Sequence, residues 1–414
     1  MSTRDSVATP PPTHRRWPRP LLARVWDQVS ESSPDDRRAQ RSAGPCAAVR
    51  PGLVMVTGHD ACRKVLTDPR FVVEDESILD ARLPGWRSSP ACRSFARELL
   101  CQNGDEHARR RRLLGSAFSQ EALDRAGRTA AERSGQAVAE TTAALRRGQE
   151  VDVSASLLRE VPLAVVAEFA GMPFDLADEA EPRARLLSAF IGSGLHDPDL
   201  RRRADEAVES LRRDLGAHLD RPGPAPVGVA GVLLAAERRG EVGRDDVLAD
   251  LLLMFSAGHE TTERLLGSAV AELAADPDLF RRLTGSSSDV ERFLREVERL
   301  HPPIPVTSRM ASDDVELEGV VVVRGTEVLL LLDAANTDPF VGAGDGIDLD
   351  GIDLDGRPRR SLSFGSGART CLGIALARVV TSAVVHALVA EGTAFRSARP
   401  GVLHAATTTP REGV

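Results

Sequence analysis

The chain has 414 residues and a formal net charge of −8, with 42% hydrophobic and 28% charged residues. Those are the proportions of an ordinary globular protein, and they give no reason to expect nucleic-acid binding. The five cysteines are odd in number and irregularly spaced. They show neither a zinc nor a disulfide framework, so a reducing cytoplasm is the simpler home; no apolar run approaches the roughly 18 residues of a membrane span.

Residues 1–20 carry Pro10, Pro11, Pro12, Pro18 and Pro20 among several arginines and read as a disordered tail. A short helix is expected over 20–33, a strand pair over 49–56 around Pro51-Gly52, and a helix over 60–66. The stretch 71–95 reads as irregular, with Pro84-Gly85 and Ser88-Ser89-Pro90; so long a loop is usually functional. His107 and Arg111 stand four apart on one helix face. Arg109, Arg110 and Arg112 beside them read as a solvated basic face. Amphipathic helices follow over 121–147 and 154–170, broken at Gly171-Met172-Pro173, with two or three more over 175–220 around Gly192, Gly194 and Pro198. Breakers at 221–226 mark a linker.

The longest helical pattern starts at Asp245-Asp246 and ends at Pro277. Roughly thirty residues at 1.5 Å each make about 45 Å, enough to cross the molecule. Its middle, Ala257-Gly258-His259-Glu260-Thr261-Thr262, is rich in poor helix formers, a local conflict that points to a functional site. The plainer reading is a helix that packs closely through Ala and Gly. Glu296 and Arg299, three apart, have the spacing of an ion pair. The chain is extended over 304–310, and 315–323 with 327–332 reads as a β-hairpin around Arg324-Gly325-Thr326. A pentapeptide then repeats, Gly346-Ile347-Asp348-Leu349-Asp350 and Gly351-Ile352-Asp353-Leu354-Asp355.

Phe364-Gly365-Ser366-Gly367-Ala368-Arg369-Thr370-Cys371-Leu372-Gly373 reads as a glycine-rich loop running into a helix. Cys371 falls at or just before that helix's N-terminus, where unpaired N–H groups and the macrodipole favour an anion. A thiol there is expected to drop from about 8.5 toward roughly 3.5–7.5. Gly365, Gly367 and Gly373 allow sharp turns and a close approach to something large and flat, and Arg369 adds a cation. A lone thiolate in this setting suits an axial ligand to haem iron. A buried structural cysteine is the plainer alternative.

This stretch closely resembles the haem-ligand signature of the cytochrome P-450 superfamily, F-x-x-G-x-[HR]-x-C-x-G, at every fixed position. The other motifs follow in family order over roughly residues 50–410. The resemblance implies a mainly α fold with small β-sheets (α+β), in which 21–414 form a single large domain around buried haem b. It assigns Cys371 to iron and Phe364, Gly365 and Gly373 to its loop. His107, Arg111, Arg309 and Arg369 would meet the propionates. Ala257 and Gly258 would leave room for dioxygen and a loosened backbone, with Glu260 and Thr261 catalytic, the acid relaying protons. Glu296-Arg299 would be a structural pair bracing the cysteine loop; Arg357, Arg359 or Arg360 would complete it, the repeat being a surface insertion. Ala335-Asn336-Thr337-Asp338-Pro339 resembles a family turn.

The implied reaction is monooxygenation of a small, fairly hydrophobic molecule in a specialised (secondary) metabolite pathway. The pocket would come from 76–95, 185–194, 254–258, 304–306 and Ala406-Thr407. With no room for a fused reductase, electrons from NAD(P)H would arrive through a separate ferredoxin and ferredoxin reductase, steered by the basic patch, to a cytoplasmic monomer. Ring coupling, desaturation or peroxide-driven oxidation are the rival outcomes. A haem-free partner protein ranks lower, because it need not keep Cys371.

Overall fold

The computed structural model describes residues 34–192, 195, 197–222, 226–339, 349–356, 359–392, 395–399 and 402–405. The expected tail over 1–20, the helix over 20–33, Gly194, Arg357, the first part of the repeat (346–348) and Ala406-Thr407 lie outside them.

The protein is mainly helical with small sheets. Helix α1 (Pro34–Arg41) precedes strands β1 (Cys46–Arg50) and β2 (Leu53–Val56), then α2 (His59–Thr67) and β3 (Phe71–Val72). The stretch 71–95 is more ordered than its breakers suggest. It holds α3 (Glu76–Arg82), capped by the Asp75 side chain, and the start of α4 (Pro90–Arg97), capped by Ser89 with Pro90 in the first turn. Both helices are too short for periodicity to reveal, but their caps satisfy orphan N–H groups. Next come α5 (Gly104–Gly115), α6 (Gln120–Arg146), β4 (Val151–Asp152), a π-helical turn (Ser154–Arg159) and α7 (Glu160–Ala170). After Gly171 follow α8 (Phe174–Gly192), α9 (Pro198–Leu219) and α10 (Gly228–Arg238).

Helix α11 (Arg244–Ala275) runs 32 residues without a break, its start closed by the Asp246 carboxylate accepting from Gly243 N. Its flanks are buried, from Val247 to Leu253 on one side and at Leu265, Leu266, Ala269, Val270, Leu273 and Ala274 on the other. Then come α12 (Pro277–Leu283), α13 (Ser287–Leu300), β5 (Val306–Ala311), β6 (Val315–Leu317), β7 (Val320–Val322), β8 (Glu327–Leu331) and α14 (Leu332–Asn336). Helix α15 (Ile374–Glu391), β9 (Phe395–Arg399) and β10 (Val402–Ala405) close the described chain.

The main sheet has the order β1-β2-β8-β5-β3, with β2 and β8 parallel and the other pairs antiparallel. This corrects the expected hairpin of 315–323 with 327–332. The hairpin is β6–β7 alone, turning at Glu318-Gly319, both with positive φ. Strand β8 is buried along Val328–Leu331 and needs a neighbour on each edge, which is why it leaves β7 and inserts between β2 and β5.

Among the described residues one helix, α15, is long and apolar enough to cross a membrane by length and composition, contrary to the reading of the bare sequence. Here it packs on α6, α11 and α13, with Leu376, Val380, Val384, Val385 and Leu388 in the main core.

Candidate functional site

The loop before α15 is held from below. Asn336, at the end of α14, donates from Nδ2 to Arg299 O (3.0 Å) and Ser363 Oγ (2.9 Å), and accepts from Leu362 N (2.7 Å). The loop then folds back so that Cys371 N donates to Phe364 O at 2.8 Å. Gly365 and Gly367 make this turn at φ +70° and +72°. At Gly367 a Cβ would lie 3.0 Å from Thr67 Cγ2 and 3.1 Å from Leu66 O, so this glycine seats the loop on α2. Gly373 caps α15, placing Cys371 just before the helix.

Cys371 is the one exposed cysteine among the five; the other four are buried. Burial nevertheless pushes its thiol up, while the Gly373 and Ile374 N–H groups and Arg111 pull it down. Both observations fit a thiol on the wall of an internal hollow, reachable by a small molecule yet surrounded by protein. The expected spontaneous thiolate is therefore corrected: helix-end N–H groups do not outweigh desolvation.

Cations collect beside this loop. Arg111 donates to Thr370 O at 2.5 Å; Arg369 donates to Gln102 O and to Asn103 Oδ1 (2.9 Å); Arg309 donates to Ser308 O (2.6 Å) and Thr307 Oγ1 (3.3 Å). Every one of these acceptors is neutral, and among the described residues none of the three arginines has a carboxylate partner. They press on each other. Arg309 falls to about 10 through burial and then Arg369. Burial also lowers Arg369 to about 10; Cys101 pulls it up and Arg111 adds to the lowering. Buried His107 is pushed down to about 4 by desolvation, then by Arg369, Arg111 and Arg309. Partly buried cations held by neutral oxygens alone lack counter-charge. A ligand bearing carboxylates would supply the missing charge.

On α11, Ala257 is exposed although its helix is buried on either side, which places it on an open interior face. Gly258 turns the other way: a Cβ there would lie 3.0 and 3.1 Å from the Val166 methyls, so its smallness serves the contact with α7. The helix is not loosened. Thr261 Oγ1 donates to Ala257 O (2.8 Å) and Thr262 Oγ1 to Gly258 O (2.7 Å), both within the unbroken ladder. Glu260 accepts from Arg264 at 2.7 Å, one turn along.

The pair Glu296–Arg299 forms as spaced: Arg299 Nε and Nη2 reach the carboxylate at 3.0 and 2.7 Å, with Arg299 1% exposed. No third arginine joins them among the described residues. Arg299 instead donates to Asn336 O, Leu349 O and Gly351 O, and Asp353 N donates to Glu296 Oε2. Arg359 binds Asp353 at 2.8 Å, and Asp353 N in turn donates to Glu296. The repeat is therefore no mere surface insertion. Its junction docks on the buried arginine, Leu354 enters the core, and Asp350 and Asp355 hold Arg37, Arg38 and Arg282.

Arg110 corrects another expectation. It is buried and paired with buried Asp250 of α11, while Arg109 holds Glu106 at the surface. Four successive arginines cannot reveal which one turns inward, and Asp250 lies 140 residues away. Asn336 and Asn103 were also missed as anchors; the turn at 335–339 was the only signal for the first. Within the expected pocket, Ile304 is exposed, but Val306 is buried in the sheet with Leu53 and Leu331.

The sequence model of the family Cytochrome P450 matches residues 289–341. The chain is 29% identical over 385 residues to cytochrome P-450 monooxygenase DoxA of Streptomyces sp. (strain C5), covering 86% of this chain and 87% of that one. It is 28% identical over 343 residues to mycinamicin IV hydroxylase/epoxidase of Micromonospora griseorubida, covering 81% and 82%. The crystal structure of CalO2 superimposes with a TM-score of 0.75 at 25% identity, over 90% of this chain and 96% of that one. The exposed cysteine, its glycine loop and the buried Glu296–Arg299 brace stand in the order of the cytochrome P450 motifs, and over most of its length the chain is similar to monooxygenases of that family.

Proposed function

We propose that residues 21–414 form one domain that binds haem b, with Cys371 as the iron ligand, and oxidises a small, fairly hydrophobic molecule in a specialised metabolic pathway. The observation that carries this reading is the exposed Cys371 thiol beside three arginines that, among the described residues, lack carboxylate partners. When bound, the haem supplies dioxygen activation by a thiolate-ligated iron.

The protein's own residues bind, orient and move protons. Arg111, Arg309 and Arg369, with His107, hold the propionates. Phe364, Gly365 and Gly373 shape the thiolate loop, and Ala257 lies on the open face of α11 while Gly258 keeps that helix close to α7. Thr261 presents a hydroxyl that must swing off Ala257 O to reach a ligand. Glu260 must leave Arg264 to pass on a proton taken from water. Electrons come from NAD(P)H through a separate ferredoxin and its reductase. The relatives DoxA and mycinamicin IV hydroxylase/epoxidase support an oxidative role of this class.

The reduced protein with carbon monoxide gives the thiolate-type Soret shift, and Cys371→Ala loses it. Thr261→Ala and Glu260→Gln keep that spectrum but lower product formed per NAD(P)H with a reconstituted redox system. A thiolate-type shift in Cys371→Ala would overturn the ligand assignment. Wild-type coupling in both helix variants would overturn the proton-relay role.

A further inference from the structure

His259 lies between Gly258 and Glu260, yet the proposed chemistry does not use it. Its ring is 1% exposed, and it packs 4.9 Å from the Phe255 ring, centroid to centroid. Nδ1 lies 2.8 Å from Phe255 O, a carbonyl that can only accept, so Nδ1 carries a proton. Nε2 has no partner. It faces Oε1 of Glu181 on α8 at 4.0 Å, and Glu181 is itself 3% exposed. A neutral imidazole would thus point a lone pair at a buried carboxylate, two acceptors with no hydrogen between them.

The surroundings favour one more positive charge. Glu181 binds Arg185 of its own helix and Arg159 of the π-helical turn; Arg159 also binds Asp178, and Arg185 also binds Glu263 of α11. Three carboxylates therefore share two guanidiniums. Glu260, the remaining charged group near the ring on its own helix, is neutralised by Arg264. The carboxylates of α7 are engaged elsewhere, Glu160 with Arg133 and Glu168 with Thr129. At the present separation burial holds the imidazole below its usual range, with Phe255 O, Glu181 and Glu260 pulling it up and Arg185 pulling it down.

We propose that His259 is a positioning residue that couples the seating of α8 to the turn bearing Glu260 and Thr261, by closing onto Glu181 when Nε2 takes up a proton. Closure converts a gap of 4.0 Å into a charge-assisted hydrogen bond, commonly about 2.7–2.9 Å. Helix α8 is drawn onto α11 by about 1 Å, and the turn adjoining it is fixed in one orientation. The inference rests on the reading of 257–262 as the oxygen-activating turn.

The test uses the haem-loaded full chain. Hydrogen exchange of the α8 amides, corrected for intrinsic base catalysis, is followed from about pH 7 to about pH 5. One linked proton allows at most about tenfold per pH unit, and a rise in protection of roughly threefold or more is expected on acidification. The carbon monoxide stretching frequency of the reduced protein, a probe of the turn, should shift over the same pH range. His259→Gln and Glu181→Gln should each remove both responses. A wild type without either response, or variants that retain both, would overturn the proposal. Wild-type coupling in Thr261→Ala and Glu260→Gln, with the α8 response still dependent on His259, would overturn the oxygen-activating reading instead.

Discussion

Arg369 donates to two neutral oxygens, those of Gln102 and Asn103, with Arg111 and Arg309 close enough to depress it. If propionates supply the missing charge, each hydrogen bond is worth about 1.5–3 kcal/mol. Arg369→Leu should weaken haem binding by roughly ten- to a hundredfold, read by haem transfer to an apo-acceptor. His107 gives a pH prediction of definite sign. Its folded value of about 4 lies below the ordinary 6.5, so the unfolded chain takes the proton first. The contribution is present above the ordinary value and is lost as pH falls through the folded one. Stability of the haem-free protein should therefore decline from about pH 6.5 toward about pH 4, by at most about 1.4 kcal/mol per pH unit. His107→Asn should flatten that slope, and so should haem, whose carboxylates reverse the local field. Denaturant titrations across this range check both.

Among elements, α13 and the repeat junction make the firmest contact that motif spacing only half revealed. Glu296→Gln would leave Arg299, almost fully buried, facing carbonyls alone. A loss of about 3–5 kcal/mol is expected, read by urea unfolding. The pair itself was legible because its two residues sit three apart on one helix. Its third partner was not, because backbone carbonyls leave no signature in a sequence. The same contrast runs through the fold. Helices α6 and α11 were plain from long periodicity, whereas α3 and α4 depend on single capping side chains. Strand β8 was read as one arm of a hairpin because its neighbours β2 and β5 lie elsewhere in the chain. Within the candidate site, Cys371, His107 and the arginines were legible as motif positions. The packing role of Gly258 and the inward turn of Arg110 were not, since each is decided by a residue on another helix, Val166 or Asp250.

At the scale of the whole molecule, the basic surface offered to an electron donor is smaller than four successive arginines suggest. Arg110 is internal and Arg109 is shared with Glu106, which leaves Arg112 exposed on α5. Arg112→Glu should slow reduction by an acidic ferredoxin at low salt and lessen its dependence on ionic strength; stopped-flow rates in a salt series measure both.

The crowding of Arg111, Arg309, Arg369 and His107 has a consequence for the protein's life in a cell. Like charges gathered without a counter-ion weaken the empty chain, and a ligand that binds only the folded form restores it by mass action. At a free haem concentration a hundred times the dissociation constant, that restoration is about 2.7 kcal/mol. Marginally stable chains are cleared by proteases in proportion to the time they spend unfolded. Scarcity of haem would then reduce the amount of this enzyme by turnover, instead of leaving a store of inactive protein awaiting its cofactor.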